Sequence, residues 1–402
     1  MRMPVLEQLH DVRGKRVLVR ADFNVPITDG LVGDEEDWRI RKTLPTIEWL
    51  KKRGAKVIIA SHLGRPEGKK VASLSLAPVA KRLSQLLRMP VLLTSEPIGA
   101  KAAAAVESMN DGDVVLLENL RFKPGEEKDD PKFAKALAEM ADIYVNDAFA
   151  VCHRKAASVS AITKLLPSYA GMLLEKEIRV LSAVLKQPIR PMLVMMGGAK
   201  VSSKIGVIKR LLEVADRVMI GGALANPFFK ALGFGIGASL TSPEDEEAAQ
   251  KLLKSALAGK LILPHDLVIG DSKKPATSKA EVVDISVIPR ELCGPKQAIY
   301  DVGPKTISAY SSYLRSANMI VWNGPLGLFE IPKFSHGTLA LGRLIASRSK
   351  GRTFGVVGGG ESVMALSRTG LMECVDHVST GGGAMLEFLE GKSLPGIEAL
   401  KK

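Results

Sequence analysis

The chain of 402 residues is expected to be an α/β protein of two Rossmann-like domains, each a parallel sheet flanked by helices, joined by a long connecting helix. Three observations lead there. Short Val- and Ile-rich runs alternate with amphipathic helical runs along the whole chain, as in parallel sheets covered on both faces. The length exceeds what a single core ordinarily fills. Near the middle, 172–186 reads as one unbroken helix, with Leu173, Leu174, Ile178, Leu181 and Leu185 on its apolar side and Pro188 and Pro191 ending it.

In the first half the strand candidates are 17–20, 57–61, 114–118 and 143–146, each brief and closed by polar or glycine residues. Between them, 41–53 places Leu44, Ile47 and Leu50 on one side and stops at Gly54, a C′ residue. Residues 76–87 align Leu76, Val79, Ala80, Leu83 and Leu87. Residues 131–141 begin with proline after Asp130, an N-cap and N1 pair. In the second half the strand candidates are 192–196, 217–220, 261–263, 319–322 and 353–357. The boundaries follow: a first domain over 1–171, an interdomain helix over 172–188, a second domain over 189–380. On pattern alone the middle helix also fits the surface of one domain; it is taken as the connector.

Composition narrows the function. Apolar residues make up 46 % and charged residues 25 %, as in a folded soluble chain. Cys152, Cys293 and Cys374 stand far apart with no CxxC pair, which suits a reducing compartment. No secretory leader and no run of about 18 apolar residues is present, so a cytoplasmic protein without a membrane span is expected. The formal charge of +13 fits nucleic acid, an anionic lipid surface or small anionic ligands. Nucleic acid is disfavoured, because no aromatic residues alternate with the basic ones as a base-stacking strip requires.

Open parallel sheets bind ligands at the carboxyl ends of their strands. In the first half those ends read Arg20-Ala-Asp22-Phe-Asn24, Ser61-His62-Leu63-Gly64-Arg65, Glu118-Asn119-Leu-Arg121 and Asn146-Asp147, with His153-Arg154 close behind. Guanidinium forks match phosphate or carboxylate oxygens in pairs. One arginine at a strand end is commonly a surface ion pair; arginines at successive ends point to an anion site. In the second half the ends are Gly197-Gly198-Ala-Lys200, Gly221-Gly222-Ala223, Asn323-Gly324-Pro325, Gly358-Gly359-Gly360-Glu361-Ser362 and Gly381-Gly382-Gly383. Glycine lets backbone approach a ligand, and a following helix aims free N–H groups at a phosphate. Lys200 and Lys204, four residues apart, would share a helix face and reach one anion. Gly233-Phe-Gly235-Ile-Gly237-Ala238 fits a dinucleotide fingerprint by letter but lacks its strand–turn–helix context. Gly64-Arg-Pro-Glu-Gly68-Lys69 has the wrong spacing for a P-loop, and the six histidines have no metal-ligand spacing.

The strings RADFNVP, SHLGRP, LLENLRF, YVNDAF with HR, GGAKVSSK, VWNGPLGLFE, GGGES and STGGGA, in this order from about residue 16 onward, resemble the phosphoglycerate kinase family. The resemblance implies a substrate pocket for 3-phosphoglycerate or 1,3-bisphosphoglycerate in the first domain, from Asp22, Asn24, Arg39, His62, Leu63, Gly64, Arg65, Arg121 and Arg154. It implies an ADP/ATP site in the second, from Lys204, Gly222, Asn323, Glu330, Gly358, Gly359, Gly360, Glu361 and Ser362, with Glu330 at the ribose and Glu361 at the nucleotide-bound Mg²⁺. Arg39, Lys200, Lys204, Gly382 and Gly383 would surround the transferred phosphoryl group. A segment over 381–402 would return to the first domain, the residues after Gly391 making the return. A monomer acting on small molecules, with no nucleic-acid partner, is expected. The family usually carries Asp where Glu361 stands, a second histidine at Ala156, and a glycine and threonine where Ala223 and Pro227 stand. The acceptor carboxylate is already ionised and needs no base, so catalysis would rest on positioning, charge stabilisation and domain closure. Two competing readings are a family member that binds without turnover and a nicotinamide dehydrogenase.

Overall fold

Strands form where the Val- and Ile-rich runs stand, because both faces of each run are covered. In the computed structural model, which describes residues 3–199, 204–286 and 290–401, all five residues of Met192–Met196 and of Met319–Asn323 are buried. Each fully buried aliphatic side chain contributes about 1.5–3 kcal/mol, so such runs drive the layering. The chain divides into two compact units, Met1–Arg179 with Ser393–Lys402, and Val180–Lys392.

The first unit holds β1 (Arg16–Arg20), β2 (Lys56–Ala60), β3 (Leu92–Leu93), β4 (Val114–Leu116), β5 (Ile143–Asn146) and β6 (Ser168–Ala170), in the order β3-β4-β2-β1-β5-β6, all parallel. The chain fills one side of β1 first and then the other, so the order reverses between β1 and β5. Helices Trp38–Lys52, Ala77–Leu87 and Pro131–Ala138 form where the apolar stripes lie. Asp130 caps the last by accepting from Lys132 N at 2.8 Å.

The second unit holds β7 (Met192–Met196), β8 (Arg217–Ile220), β9 (Gly235–Ile236), β10 (Leu261–Ile262), β11 (Asp266–Asp271), β12 (Glu281–Asp284), β13 (Glu291–Cys293), β14 (Gln297–Val302), β15 (Met319–Asn323), β16 (Phe354–Gly358) and β17 (His377–Val378). Its main sheet runs β10-β8-β7-β15-β16-β17, all parallel, and reverses between β7 and β15. Two small sheets were not expected: the antiparallel β12-β11-β14 and the pair β13-β9. Their strands are short and separated by Lys-, Pro- and Ser-rich loops, which hides the alternation.

The helix Met172–Lys186 forms as expected, and the division between units falls within it, after Arg179. Its first turn is held by the first unit. Met172 N donates to Thr46 Oγ1 at 3.0 Å, and Leu173 N and Leu174 N donate to Asp147 Oδ1 at 2.9 and 3.2 Å. The expected return over 381–402 is shorter than stated. Residues 381–392 belong to the second unit, where helix Gly383–Glu390 packs so closely on Ile205–Val214 that a Cβ at Gly206 would lie 2.3 Å from Glu390 Oε1. The return begins at Ser393, and Gly396 N donates to Cys152 O at 2.9 Å. No helix among the described residues is long and apolar enough to cross a membrane.

Candidate active site

In the first unit the polar strand ends collect around the switch between β1 and β5. Asp22, just past β1, pairs with Arg39 from the helix Trp38–Lys52. Asn24 reaches the β2 side, where its Oδ1 accepts from Gly64 N at 3.0 Å. The turn 61–65 is tied down from below: Leu63 N donates to Asn119 Oδ1 at 3.3 Å, and Asn119 Nδ2 donates to Leu63 O at 2.7 Å. Arg121 donates to Gly64 O at 2.8 Å and lies 3.2 Å from Glu127. Burial, then the charges of Arg20, Arg121, Arg39 and Arg154, hold the His62 imidazole well below its ordinary pKa. His62 is therefore a neutral ring among guanidinium groups, suited to donate a hydrogen bond and unsuited to take a proton. Arg65 and Arg154 are exposed at the rim.

Behind this surface lies a buried network: Arg20, Glu118 and Asn119 stand at strand ends as expected, but Arg20 is turned inward onto Ser158 and Glu126, which the sequence did not mark. Arg20, at the end of β1, is 2 % exposed, and its Nε donates to Ser158 Oγ at 2.8 Å. Ser158 Oγ donates to Glu126 Oε1 at 2.6 Å. Glu118 accepts from Leu76 N, Asn119 N and Ser75 Oγ at 2.9, 2.7 and 2.7 Å. A buried carboxylate or guanidinium is tolerated only with such partners.

In the second unit two loops meet at the switch between β7 and β15. A Cβ on Gly324 would lie 2.1 Å from Gly197 O, and one on Gly197 would lie 2.0 Å from Pro325 O, so neither position accepts a side chain. Gly324 also has φ +91°, a conformation that glycine adopts without strain. Lys204 Nζ donates to Gly197 O at 2.6 Å inside this junction; burial lowers its pKa and the Glu361 charge opposes that shift. Lys204 stands at the N-cap of the helix Ile205–Val214. Lys200 lies outside the described residues. Asn323 is 3 % exposed, and its Nδ2 donor has no hydrogen-bond partner among the described residues. Gly359, with φ +92°, precedes the helix Gly360–Ser367, whose first turn holds Gly360, Glu361 and Ser362; Ser362 Oγ accepts from Gly324 N. Gly382 in the same way precedes Gly383–Glu390.

Beside this junction is a cavity of about 380 Å³, lined by Gly198, Gly222, Ala223, Leu240, Ile299, Tyr300, Glu330 and Glu361 among others. Ala298, Ile299 and Tyr300 in its wall come from β14, one of the strands the sequence did not reveal. A model of the phosphoglycerate kinase family matches residues 6–392. The chain belongs to the phosphoglycerate kinase family. It is 47 % identical over 392 residues to the phosphoglycerate kinase of Thermomicrobium roseum, covering 97 % of each chain. It is likewise 47 % identical over 393 residues to that of Synechococcus elongatus, covering 97 % of this chain and 96 % of the other. Among solved structures, phosphoglycerate kinase from Coxiella burnetii superposes with a TM-score of 0.83 at 39 % identity, covering 99 % of both chains. The enzyme from Pyrococcus horikoshii OT3 gives 0.85 at 32 % identity, covering 99 % of this chain and 98 % of the other.

The departures from the common phosphoglycerate kinase pattern have definite places. Glu361 is exposed in the first turn of its helix, on the side of Gly198 and Lys204. Ala223 is in the cavity wall, whereas Pro227 is buried in the first turn of Asn226–Ala231, where proline suits the helix start. Ala156 packs on a small apolar cluster of Ala148, Val151 and Val159. Among the described residues no group of three or more His, Cys, Asp or Glu forms a metal site.

Proposed function

We propose that the chain transfers a phosphoryl group reversibly from 1,3-bisphosphoglycerate to ADP, giving 3-phosphoglycerate and ATP. In this reading the first unit holds the acid through Asp22, Asn24, Arg39, His62, Leu63, Gly64, Arg65, Arg121 and Arg154. The second holds the nucleotide through Lys204, Gly222, Asn323, Glu330 and the 358–362 turn. The observation that carries it is the pairing of an arginine-lined switch point with a glycine-lined one that has a cavity of nucleotide size.

The attacking or leaving oxygen is a carboxylate, ionised at neutral pH, so no base is required. The neutral, arginine-surrounded His62 fits a donor in such a site. Arg39 and Lys204 stabilise charge on the moving group, and the N–H groups at Gly360 and Gly383 add backbone donors. The unpartnered Nδ2 of Asn323 supplies a donor beside them. A single carboxylate, Glu361, fits a metal that arrives on nucleotide phosphates rather than one caged by protein. Mg²⁺ bound there would neutralise phosphate charge. The two anions must meet with water excluded, and the proposal includes closure about the helix Met172–Lys186. It also includes a monomer in the cytoplasm; three free cysteines, two of them buried, support a reducing compartment.

A coupled assay for ATP formation from 1,3-bisphosphoglycerate and ADP, with and without magnesium, tests the proposal. Magnesium-dependent ATP formation is expected. ADP binding without any turnover would leave only a binding protein.

A further inference from the structure

We propose that Arg20 is a positioning residue that fixes His62 in the tautomer carrying its hydrogen on Nε2, so that His62 presents a donor to a substrate oxygen. The proposal rests on reading the first unit as the phosphoglycerate site. Arg20 NH2 lies 3.3 Å from His62 Nδ1. A guanidinium has only donors and keeps its charge, so the nitrogen facing it must present a lone pair. The ring hydrogen then sits on Nε2, the one ring nitrogen left for a ligand.

Arg20 cannot turn away from this task. Its Nε is held by Ser158 Oγ at 2.8 Å and its NH1 donates to Ala21 O. Ser158 is in turn locked by Glu126, with Oγ to Oε1 at 2.6 Å and N to Oε2 at 3.0 Å, and its carbonyl accepts from Tyr144 OH at 2.6 Å. Glu126 Oε1 lies 3.7 Å from Arg20 NH2 and offsets its charge. Arg20 and Glu126 are each 2 % exposed and Ser158 is fully buried, so the guanidinium acts through His62.

Protonation of His62 would set two donors against each other and add a charge among Arg20, Arg121, Arg39 and Arg154. The anionic neighbour, Asp22, lies 3.9 Å from Nδ1 and is paired with Arg39. His62 therefore stays a neutral donor across the working pH range, and substrate affinity does not fade as histidines deprotonate.

The test is a long-range proton–nitrogen correlation spectrum of the full chain labelled in histidine with nitrogen-15, recorded from about pH 5.5 to 8.5, across the ordinary histidine range. Loss of one set of signals in His62→Gln assigns the residue. A neutral Nε2–H pattern that does not titrate is expected. An Nδ1–H pattern, or an imidazolium titrating near about 6.5, would overturn the proposal. In Arg20→Met the ring should become a tautomer mixture that titrates, and KM for 3-phosphoglycerate should rise about tenfold with KM for ATP unmoved. Arg20→Lys, which keeps a charged donor, should restore the Nε2–H pattern and most of the KM. The same rise in KM in Arg20→Met with an unchanged tautomer would refute the positioning role. If Arg20→Met fails to fold, the unmodified chain's spectrum alone decides. Absence of phosphoryl transfer would refute the reading of the site, while the tautomer is still read independently of activity.

Discussion

The two parallel sheets solve anion binding in opposite ways. The first ends its strands in side chains that carry charge: Asp22, His62, Arg121 and, from neighbouring segments, Arg39 and Arg154. The second ends them in glycines: Gly197 and Gly324 bring two backbone segments close, and Gly359 and Gly382, both at positive φ, precede helix N-termini. Side-chain charge needs a supporting layer, and the first unit has one in Arg20, Glu126, Ser158, Glu118 and Asn119. Backbone donors need only the right approach and φ, but that approach is part of the fold. Substitutions in the first site should therefore remove chemistry and spare the fold, whereas substitution of Gly197 or Gly324 in the second should disturb the fold first.

The largest effect should follow Arg39→Ala. Turnover is expected to fall by at least about a hundredfold while ADP affinity, measured by calorimetry, stays unchanged. Near-normal turnover would take Arg39 out of the charge-stabilising set. Gly324→Ala comes next. Its Cβ would meet Gly197 O at 2.1 Å with φ at +91°, and a loss of stability of about 2–4 kcal/mol is expected in denaturant unfolding. Unchanged stability would mean that the two loops need not approach so closely. Arg65→Ala should do the reverse: stability within about 0.5 kcal/mol of the parent, because the residue is exposed, and 3-phosphoglycerate affinity about tenfold weaker.

The smallest effect concerns pH. Burial raises Asp147, which caps the connecting helix, to about 7. Its folded pKa stands above its unfolded one, so the contribution is fully present below about pH 4 and is lost as pH rises through about 7. Asp147→Asn keeps a cap oxygen and cannot ionise. It should match the parent chain near pH 4 and be the more stable of the two near pH 8, in urea unfolding at both values. A variant less stable at the higher pH would show that the ionised carboxylate helps the cap.

The main parallel strands were legible because burial on both faces writes them as unbroken apolar runs, and β5, β7 and β8 begin and end where the pattern places them. The connecting helix was legible from its stripe and its flanking prolines. The edge strands β3 and β17, of two residues each, carry no period to read. Strand β14 was missed because its burial does not alternate, its pairing with β11 being interrupted by a register shift, and it supplies Ile299 and Tyr300 to the cavity wall. At the site, residues at strand ends were found because strand ends bind ligands. Arg20 stood in the same string, but its burial and its hold on His62 arise from Ser158 and Glu126, more than a hundred residues away in sequence. Thr338, which holds Leu326 N and Gly327 N at 3.0 and 3.2 Å, was hidden for a different reason: its partners are close in sequence, but it stands inside the helix His336–Arg348 and not at a strand end.

Calorimetric titration of 3-phosphoglycerate and of ADP into Arg121→Ala and into Lys204→Ala asks whether each wall serves one ligand. Arg121→Ala should lose about tenfold or more in affinity for the acid and keep ADP, and Lys204→Ala should do the opposite. Equal weakening of both ligands by either change, or a crossed pattern, would contradict the division of labour between the arginine-lined and glycine-lined sheets.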